Sequence, residues 1–93
     1  MTILVNRFNT PAGKEAGLLE MVNSWAETIG QAPGCNSFSV YTDPDAPGSV
    51  VTLEDWDSRQ AHEAFRDSIP PEMMSDAMQF MTGMPEGFYL DQA

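Results

Sequence analysis

The stretch ILVNRF, Ile3–Phe8, decides the fold because it has the composition of a partly buried β-strand with one polar residue in its middle. Alternate residues of a strand share a face, so Leu4, Asn6 and Phe8 point the same way. A buried amide without a hydrogen-bond partner costs about 1–3 kcal/mol. We therefore expect Asn6 to have either a partner or a substrate to contact.

A second stretch of the same kind, VVTLEDW at Val50–Trp56, ends in a tryptophan. The same alternation puts Thr52, Glu54 and Trp56 on one face of that strand. If both strands turn these faces toward the same helices, an amide, a carboxylate and an indole meet inside an apolar cavity. The two stretches thus predict a polar cluster in the interior of a small domain.

The first half of the chain predicts a strand, a helix and a hairpin. A strand over residues 3–9 is followed by a helix with one apolar face, which ends at Gly30. Residues 35–42 alternate as a second strand does, and a third strand covers about residues 49–56. A short turn rich in proline and aspartate joins these two strands, so we expect them to pair antiparallel.

The second half predicts a helix in two pieces and a closing strand. We expect Asp57 to cap the helix that follows the third strand. Pro70-Pro71 breaks that helix, and a further helix starts near Glu72 and ends at Gly83. Residues 88–90 are long enough for a last strand.

The resulting order, β-α-β-β-α-β, is the ferredoxin-like α+β arrangement, with one antiparallel sheet under a layer of helices. Residues 1–93 form a single domain of this kind. Nothing in the chain covers the other face of the sheet, which would carry Val5, Arg7, Tyr41, Val51 and Leu53. We expect this face to pack against a second copy, giving a homodimer.

Charge and composition argue against several classes of partner. The chain carries 14 acidic and 4 basic residues, for a net charge of −10. Such a field repels phosphates and disfavours both nucleic acids and anionic membranes. No apolar run approaches the roughly 20 residues that span a bilayer, and the lone Cys35 has no partner for a disulfide or a zinc cluster. We expect a soluble cytoplasmic protein without a metal site.

Several short motifs occur in an order that resembles the antibiotic biosynthesis monooxygenase superfamily. They are VNRF at 5–8, PAGK at 11–14, APGC at 32–35 and LEDWDS at 53–58, followed by Ala61 and Phe65. The resemblance covers roughly residues 2–90 and implies a dimeric α+β barrel with a pocket between sheet and helices in each subunit. Two branches of the superfamily carry an Asn on the first strand and a Trp at the end of the third, positions that Asn6 and Trp56 match.

One of these branches implies a cofactor-independent monooxygenase that oxidises a small aromatic substrate, an anthrone or quinol, with O2. Asn6 would donate its amide N–H to a developing enolate or peroxide oxygen, and Trp56 would pack on the planar substrate and donate its indole N–H. Gln79 lies near the place where some anthrone oxygenases carry an Arg. The expected substrate-binding residues are Trp25, Phe65, Met74, Met78 and Gln79.

Two further residues are candidates for acid–base chemistry. Glu54 shares a face with Trp56, and a carboxylate in an apolar pocket has a raised pKa. His62 is the only histidine and is either a proton shuttle or a partly exposed helix residue.

Three functions besides this oxidation are compatible with the same residues. The chain could be a non-oxidative cyclase or isomerase of the same fold, or a non-catalytic ligand-binding dimer. Heme degradation is a weaker candidate, because the heme-degrading branch binds iron through a His in the later helical region. Residues 72–80 contain no His.

Overall fold

A computed structural model describes the backbone of all 93 residues and every side chain except that of Met74. The elements follow the predicted βαββαβ order, with the second helical segment in two pieces, which confirms the ferredoxin-like α+β fold. They are β1 (Thr2–Asn9), α1 (Glu15–Ile29), β2 (Cys35–Thr42), β3 (Ser49–Trp56), α2 (Arg59–Ser68), α3 (Pro71–Met78) and β4 (Glu86–Asp91).

The four strands form one antiparallel sheet in the order β2-β3-β1-β4. The register sets Phe38, Glu54, Leu4 and Tyr89 side by side, one residue from each strand, and we call this the central row. The neighbouring row on the same face contains Asn6, between Thr52 on β3 and Gly87 on β4. The sheet register therefore brings together residues that are far apart in sequence.

The helices cover one face of this sheet and bury a core against it. Leu18 and Val22, four residues apart on α1, are fully buried and pack with Phe8 of β1. The ring of Phe8 also meets Trp25 of α1 edge to face, with centroids 5.7 Å apart. A smaller cluster of Leu4, Ile29 and Trp56 lies beside this core. The predicted apolar stripe of the first helix is thus the stripe that holds α1 on the sheet.

The cap of α2 differs from the prediction. Ser58, not Asp57, is the N-cap, and its hydroxyl accepts a hydrogen bond from the Ala61 N–H at 3.1 Å. Asp57 follows the last residue of β3, and its N–H bonds to the carbonyl of Gly34, just before β2, at 2.8 Å. Its carboxylate accepts from Asn36 at 3.0 Å instead of capping the helix.

The end of α3 also differs. The helix ends at Met78, five residues before the predicted stop at Gly83. The N–H groups of Gln79, Phe80 and Met81 bond to carbonyls three residues earlier, which tightens the chain into turns. Met81 is buried as the apolar stripe indicated, but it lies outside the helix.

The opposite face of the sheet is uncovered in one chain. Tyr41, Leu53, Phe88 and Leu90 expose 53%, 37%, 55% and 49% of their surfaces there. Leu53, Val5 and Phe88 are neighbours in one row across three strands, so the apolar surface is continuous. Among the described residues, no helix is both long and apolar enough to cross a membrane.

Candidate functional site

A cavity of about 440 Å³ lies between the sheet and the helices. Its wall is mostly apolar and includes Trp25 of α1 and Phe65 of α2. The central row contributes all four of its residues to this wall. The polar side chains that reach the cavity are Asn6, Glu54, His62, Arg66 and Tyr89. A concave apolar site with a few convergent polar groups is typical of small-molecule binding.

Glu54 is the centre of the polar cluster. It is a carboxylate on β3 with only 4% of its surface exposed. Asn6 donates its Nδ2–H to Oε2 at 3.1 Å, and Trp56 donates its indole Nε1–H to Oε1 at 3.0 Å. Both carboxylate oxygens therefore have a fixed donor, and the carboxyl plane is held in one orientation toward the cavity.

Burial raises the pKa of Glu54, while the hydrogen bonds from Trp56 and Asn6 act in the opposite direction. Desolvation penalises the charged form, and two N–H donors favour it. A carboxyl group whose pKa is moved toward neutrality is better suited to take up and release protons at physiological pH. The geometry therefore suits Glu54 to act as a general base on a molecule in the cavity.

The donor groups of Asn6 and Trp56 both contact Glu54 in this structure. We expected both to donate to a substrate oxygen, and in this structure both donate to Glu54. Trp56 is fully buried and is not among the residues that line the cavity. Asn6 does line the cavity, so its carboxamide borders both Glu54 and the cavity. A direct catalytic role for either residue remains a prediction.

Gly87 of β4 makes room for the Asn6 side chain. It is the register partner of Asn6 and lines the cavity. A Cβ at this position would collide with the Asn6 carboxamide oxygen. Sequence reasoning missed this residue, although a glycine inside a strand is a known sign of a close approach.

A second polar pair, His62 and Tyr89, lies in the wall. The Nδ1 atom of His62 on α2 and the hydroxyl of Tyr89 on β4 are 2.6 Å apart. Burial, and then the positive charge of Arg66, lower the pKa of His62 below its ordinary value. The imidazole also meets the ring of Trp56 edge to face at 5.2 Å, and the Arg59 guanidinium lies 4.4 Å from the centre of the Tyr89 ring.

The predicted substrate-binding residues divide into three groups. Trp25 and Phe65 line the cavity, whereas Met78 and Gln79 are not among its lining residues. Both lie at the end of α3 with exposed side chains, and the Gln79 carbonyl accepts a hydrogen bond from Lys14 Nζ at 3.3 Å. The side chain of Met74 lies outside the described part of the structure.

Two different methionines line the wall instead. Met73 and Met84 take part in it, and the sequence pattern did not single out either as a pocket residue. Among the described side chains, no three His, Cys, Asp or Glu residues cluster as metal ligands would.

A buried carboxylate with two N–H donors beside an apolar cavity, in a ferredoxin-like α+β domain, is typical of proteins that bind small molecules. The sequence profile of the antibiotic biosynthesis monooxygenase family matches residues 1–79. The chain belongs to this family. A comparison with curated protein sequences finds no match.

Solved structures share the fold at low sequence identity. Rv0793 from Mycobacterium tuberculosis superposes with a TM-score of 0.84 at 20% identity, over 99% of this chain and 94% of that one. A conserved protein from Methanosarcina mazei gives 0.85 at 16% identity, over 99% and 92%. A variant of SnoaB from Streptomyces nogalater, described as a cofactor-independent oxygenase, gives 0.80 at 17% identity, over 98% and 91%. At these identities the likeness establishes the fold alone.

Proposed function

We propose that the protein is a cofactor-independent monooxygenase that oxidises an aromatic substrate of the anthrone or quinol type with O2. The observation that carries this proposal is the buried carboxylate of Glu54, held by two N–H donors at the wall of an apolar cavity. Family membership and the fold shared with a cofactor-independent oxygenase support it. Asn6 and Trp56 serve the reaction by orienting Glu54.

The chemistry begins with a proton transfer. Glu54 takes a proton from the acidic C–H or O–H of the substrate, and the electron pair stays on the substrate as a conjugated anion. The anion gives an electron to O2, and recombination of the two radicals forms a C–O bond to a peroxide. Loss of water then turns the CH2 group of an anthrone into a carbonyl, so that one oxygen atom stays in the quinone and the other leaves as water.

The cavity suits this sequence of steps. Its volume of about 440 Å³ lies within the range of about 300–1,000 Å³ typical of small-molecule sites. The aromatic wall, with Trp25, Phe38 and Phe65, offers flat surfaces to a planar ring system. An apolar wall also lowers the local dielectric constant, which strengthens the electrostatic contacts made by the anion.

We further propose that the working form is a homodimer. The apolar face that carries Tyr41, Leu53 and Phe88 is exposed in one chain, and a continuous patch of this kind is typical of an interface. Packing two such faces together places both helical layers, and with them both cavities, on the outside of the pair.

Oxygen uptake with the anthrone dithranol tests the function directly. We expect the wild-type protein to accelerate uptake, and Glu54→Gln to lower kcat by at least about 10²-fold, since a positioned base contributes about 10²–10⁴-fold. Glu20→Gln, which makes the same charge change on an exposed part of α1, is the matched control and should leave kcat unchanged.

Three results would contradict the proposal. A wild-type protein that binds dithranol without turning it over is a non-catalytic binder. A product with unchanged oxygen content selects a cyclase or isomerase. Equal activity of wild type and Glu54→Gln would show that Glu54 is not the base.

A further inference from the structure

The central row places two polar groups on opposite sides of Leu4. Glu54 and Tyr89 are both register partners of Leu4, one on β3 and the other on β4. Neighbouring strands lie about 4.8 Å apart, so the backbones at Glu54 and Tyr89 are about 10 Å apart. Both side chains line the same cavity. A planar molecule lying over Leu4 would therefore have the Glu54 side chain on its β3 side and the Tyr89 side chain on its β4 side.

The Tyr89 hydroxyl is held by a partner of its own. His62 Nδ1 lies 2.6 Å from it, a short distance for a hydrogen bond. The Arg59 guanidinium covers the Tyr89 ring, and the His62 ring crosses it edge to face at 5.5 Å. These contacts from α2 fix a side chain of β4 that is otherwise at the edge of the sheet. A phenol has one O–H and two acceptor lone pairs, so it can accept from His62 and still donate to a ligand.

We propose that Tyr89 donates a hydrogen bond to the substrate oxygen on which negative charge develops, and that His62 positions its hydroxyl. The inference rests on the proposed function, with Glu54 as the base, and it narrows the substrate class. The substrate is a planar conjugated molecule with an acidic C–H or O–H at one edge and a carbonyl or phenol oxygen at the opposite edge.

The proposed proton transfer needs no reactant besides the substrate and Glu54. The C–H or O–H bond of the substrate breaks, and its proton forms an O–H bond with Glu54. The electron pair moves through the conjugated system to the distant oxygen. Tyr89 keeps its proton and stabilises that oxyanion by a hydrogen bond, while the Nδ1–H of neutral His62 donates to the Tyr89 oxygen. Donors aimed at developing charge in a cavity that excludes water are among the largest contributions to catalysis.

The charges around this position come from two elements. On α2, Arg59 and Arg66 are cationic and Glu63 is anionic. On β3, Glu54 is the acid that lines the cavity. Once Glu54 has taken the substrate proton it is neutral, so Arg66, which lines the cavity, and the Tyr89 hydroxyl are left to balance the anion.

The first experiment measures turnover of dithranol by Tyr89→Phe. We expect kcat to fall by about 10²-fold, the usual effect of losing one such donor, with KM changed less than threefold. Tyr41→Phe removes the hydroxyl of the second tyrosine, which lies on the opposite face of the sheet, and should match the wild type. His62→Ala should lower kcat about tenfold, and His62→Gln, which keeps a side-chain N–H for the Tyr89 oxygen, should restore most of it.

The second experiment needs no turnover. The probe is 2-hydroxyanthraquinone, an already oxidised planar phenol whose absorbance reports its ionisation. We expect the apparent pKa of the bound probe to be about one unit higher in Tyr89→Phe than in wild type or Tyr41→Phe, because the anion has lost a hydrogen bond.

The two experiments separate the possible failures. Equal kcat and equal probe pKa in wild type and Tyr89→Phe, with oxygen uptake intact, would overturn the role of Tyr89. If the probe does not bind, the proposed substrate class is wrong. Absence of oxygen uptake by the wild type would overturn the proposed oxidation, and a Tyr89-dependent probe pKa would still identify the donor.

Discussion

At the scale of single residues, two opposing effects act on the pKa of Glu54. Burial makes its charge costly, and two N–H donors reduce that cost. Strand alternation predicted the face of each strand that carries Asn6, Glu54 and Trp56, and it predicted that they meet if both faces turn toward the same helices. It could not predict that both donors turn toward the carboxylate, because side-chain rotamers decide that. In this structure both donors contact the carboxylate and hold it in one orientation, which makes Glu54 the residue on which the proposed chemistry depends.

The raised pKa of Glu54 has a consequence for stability. Its folded pKa lies above its unfolded value of 4.5, so its contribution to stability is present in full below that value and is lost as pH rises through the folded pKa. Glu54→Gln removes this titration. We therefore expect the unfolding free energy of wild type, relative to Glu54→Gln, to fall as pH increases above about 4.5, by at most about 1.4 kcal/mol per pH unit.

Urea unfolding of both proteins between pH 4 and pH 8 would measure how this difference in unfolding free energy changes with pH. The range covers about four pH units, starting near the unfolded pKa. The glutamine leaves one donor without an acceptor, which adds an offset that does not vary with pH. A wild type that gains stability relative to the variant as pH rises would show that Glu54 favours its charged form on folding.

At the scale of elements, the register of the strands determines which residues meet at the site. Strands over residues 35–42 and 49–56 could be predicted because alternation and a short turn define them locally. The pairing of β4 with β1 could not be predicted in detail, so Gly87 and Tyr89 were missed. Asp57 and Ser58 are adjacent residues with similar capping ability, and the choice between them depends on a hydrogen bond from Asp57 to Gly34 that the sequence does not reveal.

The pairing of Gly87 with Asn6 can be tested by substitution. In Gly87→Ala the added methyl group would displace the Asn6 carboxamide, and Glu54 would lose a donor. We expect turnover of dithranol to fall at least about tenfold, since a hydrogen bond to a charged group is worth about 1.5–3 kcal/mol. Stability should change less, because replacing glycine also removes about 0.4–1 kcal/mol of unfolded-state entropy.

A double-mutant cycle supplies the control for this prediction. In an Asn6→Ala background the carboxamide is absent, so Gly87→Ala should have no further effect on turnover. Additive losses in the two backgrounds would show that Gly87 acts through some other contact.

At the scale of the whole molecule, one face of the sheet lines the cavity and the other is exposed in one chain. The sequence predicted the uncovered face from Val5, Arg7, Tyr41, Val51 and Leu53. The structure adds two residues of β4 to the exposed apolar set, Phe88 and Leu90. A domain of this size buries a modest fraction of its surface alone, which favours association through such a face.

The proposed dimer can be tested by substituting two residues whose side chains are equally exposed in one chain. Leu53 and Met78 each expose 37% of their surface, the first on the uncovered face and the second on the helical side. We expect sedimentation to give a dimer for wild type and Met78→Lys, and a monomer for Leu53→Lys, because a buried lysine at the interface is unpaired. A dimer in Leu53→Lys, or a wild-type monomer at micromolar concentration, would contradict this interface.

The central claim is that Glu54 starts an oxidation by O2 inside this cavity. The most direct test is to supply oxygen-18 gas with dithranol and to measure the label in the quinone by mass spectrometry, with spontaneous oxidation subtracted. We expect one labelled oxygen atom per product molecule formed by wild type, and product formation by Glu54→Gln that does not exceed the spontaneous reaction. Unlabelled product from the wild type, or labelled product formed equally fast by Glu54→Gln, would contradict it.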